Sequence, residues 1–115
     1  MGTPTLPPIP TRAAAGAALL DRRLPGWHQD VDPDWLDMED GRVDMLGQLY
    51  GWFEIGIAAL TPGLGEAEVE AWVVAHGFDL DDSDLPPKGG SVDAYQVLTE
   101  AWRAELVRRR AGERQ

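Results

Sequence analysis

The stretch DMLGQLYGWFEIGIAAL, residues 44–60, most constrains the fold of this chain. Within it Leu46, Leu49, Tyr50, Phe53, Ile57 and Leu60 recur at intervals of three and four residues. That spacing aligns them on one stripe of an α-helix, and Thr61-Pro62-Gly63 ends the run. A stripe of this length needs burial, and the rest of the sequence supplies helical partners. Residues from Glu66 place Val69, Trp72, Val73 and His76 on one face, with Gly77 positioned as a left-handed C-cap and Phe78 folding back. Ser91 is placed to cap a last helix with Tyr95, Leu98, Trp102 and Leu106 on its inner side. Thr11 is placed to cap RAAAGAALLDRR, which buries Leu19 and Leu20 and stops at Leu24-Pro25-Gly26.

No segment alternates apolar and polar residues as a half-buried strand would. The predicted fold is therefore all-α, an irregular bundle of about four helices with acidic connecting loops. Leu46, Leu49, Phe53 and Ile57 are expected to pack against Leu98, Trp102 and Leu106. Residues 1–10, with four prolines, are expected to form a disordered arm, 11–110 a single helical domain, and 111–115 a frayed tail. Gly47, Gly51 and Gly56 in the central helix each cost about 1 kcal/mol relative to alanine, which implies close approach of another backbone.

Charge is unevenly distributed. Between Leu24 and Pro87 there are fifteen acids and one base, Arg42, whereas each flank carries a net charge of +2. A block of this sign repels phosphate backbones and anionic lipid, so no direct nucleic-acid binding is expected and a basic protein surface is the favoured partner. The plainer alternative is that the acids serve solubility alone. The absence of cysteine excludes disulfides and thiolate chemistry. MGTPTLPPIPTR lacks the basic-then-apolar form of a secretory signal, and no uncharged apolar stretch is long enough to span a membrane, so the expected location is the cytoplasm with no membrane association.

The densest acidic stretch is WHQDVDPDWLDMEDG, residues 27–41. Asp30, Asp32 and Asp34 occupy the first, third and fifth places of an EF-hand-like loop, but Trp35 stands where glycine must turn the chain and Gly41 where a bidentate glutamate is required. Asp79, Asp81 and Ser83 fail in the same way at Asp84 and Gly90. The two histidines, His28 and His76, share no ligand spacing, and His76 is better placed as a helix C-terminal residue than as a ligand or base. Neither a metal nor a cofactor is expected. The carboxylates show no sign of a cleft-bound acid and base pair, and LGQLYGWFEIG and PPKGGS are not phosphate-cradling loops. The chain is read as a non-enzyme. The competing possibility is a small-ligand or enzymatic domain with a convergent pocket around His28, His76, Tyr50 or the acids.

Trp72 and Trp102 belong to predicted core stripes. Trp35, Leu36 and Met38 are expected to pin the acidic loop, while Trp27, Trp35 and Trp52 are candidates for an aromatic surface among the acids. The candidate partner-binding residues are Trp27, Trp35 and the acids Asp30, Asp32, Asp34, Asp37, Glu39 and Asp40. A second acidic segment adds Asp79, Asp81, Asp82 and Asp84.

In LLDRRLPGW, LDM, LGQLYGWFEIG and YQVLTEAWR the chain resembles a group of small uncharacterised acidic proteins of actinobacteria and their phages, over about residues 17 to 110. The resemblance implies a phage or actinobacterial setting and no particular activity. Nine arginines to one lysine, with abundant alanine and glycine, accord with a high-GC source. The functional expectation is a protein–protein interaction module whose acidic face binds a basic surface of a host or viral protein. Its sharpest form is a nucleic-acid mimic.

Overall fold

A computed structural model of the chain describes residues 6–85 and 93–113. The described residues form α1 (Ile9–Arg23), α2 (Met45–Tyr50), α3 (Phe53–Leu60), α4 (Glu66–Ala75) and α5 (Ala94–Glu113), with 3₁₀ turns at Trp27–Gln29 and Asp82–Asp84. They contain no strand, in agreement with the all-α expectation.

The first helix begins at Ile9, two residues before Thr11, with Pro8 as N-cap and Pro10 in its first turn. Proline is favoured there because its missing N–H would lack an intrahelical partner in any case. Part of the expected arm is thus helix, and residues 1–5 lie outside the described residues. Thr11 is an exposed residue of the first turn rather than a cap. The RAAAGAALL stretch gives α1 a thin side that admits close neighbours. A methyl group added at Gly16 would collide with the His76 carbonyl and lie 2.9 Å from the Trp102 ring. There α1 meets both the end of α4 and the middle of α5, and α1 with α5 is the principal helix pair.

Trp102 is fully buried at this junction. Its Nε1 donates to the Gly77 carbonyl at 2.7 Å, its ring stacks on Phe78 at 5.5 Å, and Trp27 meets it edge-on at 6.0 Å. The turn that presents Gly77 and Phe78 is the one the sequence indicates. Gly77 takes a left-handed φ of 68°, Phe78 N–H donates to the Val73 carbonyl at 3.0 Å, and Gly77 N–H donates to Val74 at 3.1 Å. His76 caps α4, and its Nδ1–H donates to the Trp72 carbonyl at 2.8 Å. The indole of Trp72, only half-buried, stacks on Phe78 at 5.6 Å.

The expected central helix is two helices. Gly51 has φ of 90° and closes α2, Trp52 is extended, and α3 restarts at Phe53, whose N–H donates to the Gly41 carbonyl at 2.9 Å. Of the three glycines expected in this helix, Gly47 and Gly56 are helical, and Gly47 does meet a backbone: an added Cβ would lie 2.5 Å from the Gly41 carbonyl oxygen. Because α3 turns back on α2, the predicted stripe is only partly buried, with Leu46 and Leu60 in the core alongside Leu98, Trp102 and Leu106. Leu49, Phe53 and Ile57 pack half-buried at the margin of that core. The last helix starts at Ala94, where the Asp93 carboxylate accepts the Gln96 N–H at 3.1 Å, and the expected cap Ser91 lies outside the described residues. The helix runs to Glu113, three residues past the expected domain end at 110, and residues 114–115 lie outside the described residues.

Candidate functional site

The acidic stretch between α1 and α2 is held by its backbone and its apolar side chains. Trp27, Val31, Leu36 and Met38 are buried, and the intervening Asp30, Asp32, Asp34, Asp37 and Glu39 are exposed. Three residues along one side of α5 fix this arrangement. Thr99 Oγ1 accepts the Met38 N–H at 3.0 Å. Arg103 donates to the carbonyls of Pro33 at 3.0 Å and Leu36 at 3.2 Å, and Arg110 Nη2 donates to those of Val31 at 2.6 Å and His28 at 3.0 Å. The guanidinium groups thus satisfy carbonyls, which leaves the carboxylates of the same loop turned to solvent.

Local hydrogen bonds stiffen the loop further. The side chains of Asp32, Asp37 and Asp40 each accept the backbone N–H two residues on, at 2.9, 3.0 and 2.9 Å. Gln48 of α2 clasps the Asp32 backbone from both sides, accepting its N–H at 2.6 Å and donating to its carbonyl at 3.1 Å. The aromatic member of this surface is Trp35, at 70% exposure. Leu36 and Met38 pin the loop as expected, but Trp35 does not: the turn from Asp32 to Trp35, closed by Trp35 N–H on the Asp32 carbonyl at 3.2 Å, directs it outward. Trp27 is the converse correction. It is 1% exposed, donates from Nε1 to Asp21 at 2.9 Å and lies under the Arg109 guanidinium at 5.5 Å, so it is a core residue rather than a surface one. Hydrogen bonding from Arg109 holds Asp21 below the usual carboxylate range. Trp52, at 40% exposure, lies at the break between α2 and α3.

The second acidic segment folds toward the first. Asp79 accepts the Tyr95 hydroxyl at 3.0 Å, and burial, followed by the negative field of Asp79, Glu39 and Asp82, pushes the Tyr95 pKa up to about 12. Carboxylates distant in the sequence therefore converge around one tyrosine. Asp44 extends the group inward. It is 3% exposed, caps α2 by accepting the Gly47 N–H at 2.6 Å, and is raised to about 7, chiefly by burial and further by Asp79 and Asp40. Asp81 and Asp82 are exposed, with Asp81 accepting the Ser83 N–H at 3.1 Å. Asp84 is not available to a partner in the way its neighbours are. Arg12, 2% exposed, grips both its oxygens at 2.9 and 2.5 Å and holds its carboxyl low, docking this segment on the start of α1. Arg42 similarly engages Asp40, from an exposed position.

Beside this surface α3, α4 and the segment from Asp79 to Ser83 enclose an open groove of about 1060 Å³. Among the described residues no group of three or more histidines and carboxylates is arranged to hold a metal ion, and no helix is long and apolar enough to cross a membrane. Comparison with protein-family models, curated proteins and solved structures finds no match for this chain.

Proposed function

We propose that the protein is a non-catalytic interaction module that binds a basic surface of a protein partner. Its binding face consists of the outward carboxylates Asp30, Asp32, Asp34, Asp37 and Glu39 around Trp35, continued by Asp79, Asp81 and Asp82. The observation that carries this reading is Trp35: a large aromatic side chain, 70% exposed, on a loop whose backbone is fixed by Arg103 and Arg110. An aromatic anchor ringed by charge on a preorganised support is the composition of an interaction hot spot, since little ordering cost is incurred on binding. A host or viral protein that itself binds nucleic acid has the complementary surface, and a phage or actinobacterial setting is part of the proposal.

The test is affinity capture from an actinobacterial lysate with the wild-type chain and two variants. One is Trp35→Ser, and the other replaces Asp30, Asp32, Asp34 and Asp37 by asparagine. The expected outcome is a partner retained by the wild type, lost from both variants and displaced by nucleic acid, with an on-rate that falls as salt rises. Equal retention by all three proteins with salt-independent association would reduce the stretch to a solvated connection.

A further inference from the structure

The groove beside the acidic face has an apolar floor and an acidic rim. Its floor is formed by Phe53 and Ile57 of α3, Val69 and Val73 of α4, and Leu80. All five belong to or pack against the core, so the floor is firm rather than a loose surface patch. Its rim carries Glu54, Glu70, Asp79, Asp81 and Asp82, and no arginine or histidine lines it among the described residues. An occupant must therefore bury apolar side chains while placing positive charge at the edges, which excludes acidic peptides, phosphates and nucleic acid.

We propose that this groove receives a basic amphipathic helix of the partner protein, with apolar anchors at positions i, i+4 and i+7 on the floor and lysine or arginine at the rim. The ten residues of α4 span about 15 Å, which an occupant helix of two to three turns matches. Charge complementarity selects the occupant: a groove flanked by carboxylates with no arginine or histidine among its described lining residues favours a cationic helix and repels an acidic one. The proposal rests on the acidic-face reading for the sign of the partner's charge, and adds a defined seat and a sequence pattern for the partner.

The test uses three synthetic peptides with the full-length chain: a twelve-residue lysine-leucine peptide with leucine at i, i+4 and i+7, a scrambled peptide of the same composition, and oligolysine. Binding is followed by amide chemical shifts and by titration. The amphipathic peptide is expected to bind best and to move the amides of Ile57, Val69 and Leu80. Val69→Arg should weaken it by about tenfold or more, as loss of a desolvated anchor does. Glu70→Gln, at an exposed rim position that leaves the fold intact, should weaken it by about threefold at low salt. Oligolysine binding as well as the amphipathic peptide, with neither variant having an effect, would overturn the groove while leaving the acidic face in place. No shift of the groove amides at about 1 mM amphipathic peptide would overturn it too. So would self-association abolished by Val69→Arg, which would assign the groove to a second copy of this chain.

Discussion

Replacing Asp44 by asparagine removes an ionisable group from the interior while keeping the helix cap, because the amide oxygen still accepts the Gly47 N–H that the carboxylate accepts at 2.6 Å. In the wild type, burial raises the Asp44 pKa from 3.8 to about 7, and the neighbouring Asp79 and Asp40 add to the rise. The folded state therefore binds more protons than the unfolded chain between those two values. By linkage the stabilising contribution is complete below pH 3.8 and is lost as pH rises through about 7. At about 1.4 kcal/mol per pH unit, the full loss is about 4 kcal/mol, of which about 2.5 kcal/mol falls between pH 5 and pH 8.

Urea unfolding of both proteins across that range provides the assay. With a slope of about 1 to 3 kcal/mol per molar, the wild-type midpoint should fall by about 1 M or more between pH 5 and pH 8. The Asp44→Asn midpoint should stay nearly level and exceed the wild type at pH 8. The two proteins differ at this one position, so the difference between their midpoints isolates Asp44. Asp21, Asp81 and Asp84, whose pKa values are lowered, act below the window examined. A wild-type midpoint that is flat across the range, or an asparagine variant with the same slope, would show that Asp44 is solvated in the folded protein.

Trp102→Ala should destabilise the fold by about 3 to 5 kcal/mol in thermal or urea unfolding, since the ring lies at the junction of α1, α4 and α5 and its Nε1–H satisfies the Gly77 carbonyl. Phe53→Ala should cost less, because Phe53 is half-buried at the margin. Arg110→Ala leaves the Val31 and His28 carbonyls without that donor and should cost about 1 to 3 kcal/mol. It should also accelerate amide hydrogen exchange from Val31 to Met38 while the loop keeps all its acids.

The class of fold was legible because the apolar periodicities of 44–60, 66–78 and 94–106 are local properties of the chain. So were the stop at Leu24-Pro25-Gly26 and the Gly77 cap, whose residue types have few alternative uses. The break at Gly51 was hidden for a physical reason. Leu49, Tyr50, Phe53 and Ile57 keep helical spacing across it, and a glycine in a helix interior looks the same in sequence as one that ends a helix in a left-handed conformation. What distinguishes them here is the Phe53 N–H on the Gly41 carbonyl, a tertiary bond. The acidic surface was legible as composition but not as geometry. Trp27 and Trp35 have similar neighbours in sequence, and it is contacts with Asp21 on α1 and with Trp102 and Arg109 on α5 that draw Trp27 inward. Nor does residue spacing reveal that Arg12 claims Asp84, or that Arg103 and Arg110 bind carbonyls, since each partner lies 67 or more residues away in the chain.

Those arginine placements decide how the charge of the molecule behaves. The basic flanks of the sequence do not simply neutralise the acidic middle. Among the described residues, the arginines that pair with its carboxylates are Arg12, with Asp84, and Arg42, with Asp40. Arg103 and Arg110 hold backbone carbonyls, and Arg109 pairs with Asp21 and Glu105, which lie outside the middle block. The loop is therefore fixed in place while its carboxylates repel one another across the surface. Raising monovalent salt from about 0.05 to 0.5 M shortens the screening length from about 14 Å to about 4 Å, which weakens that repulsion more than the partly buried Arg12 and Arg109 pairs. The melting temperature should then rise with salt over the same range in which binding to a basic partner weakens. Replacing Asp30, Asp32, Asp34 and Asp37 by asparagine should raise the low-salt melting temperature and flatten its salt dependence. A melting temperature that falls with salt in the wild type would mean that attraction within the ion pairs outweighs repulsion across the face, and the picture of an uncompensated acidic surface would have to be given up.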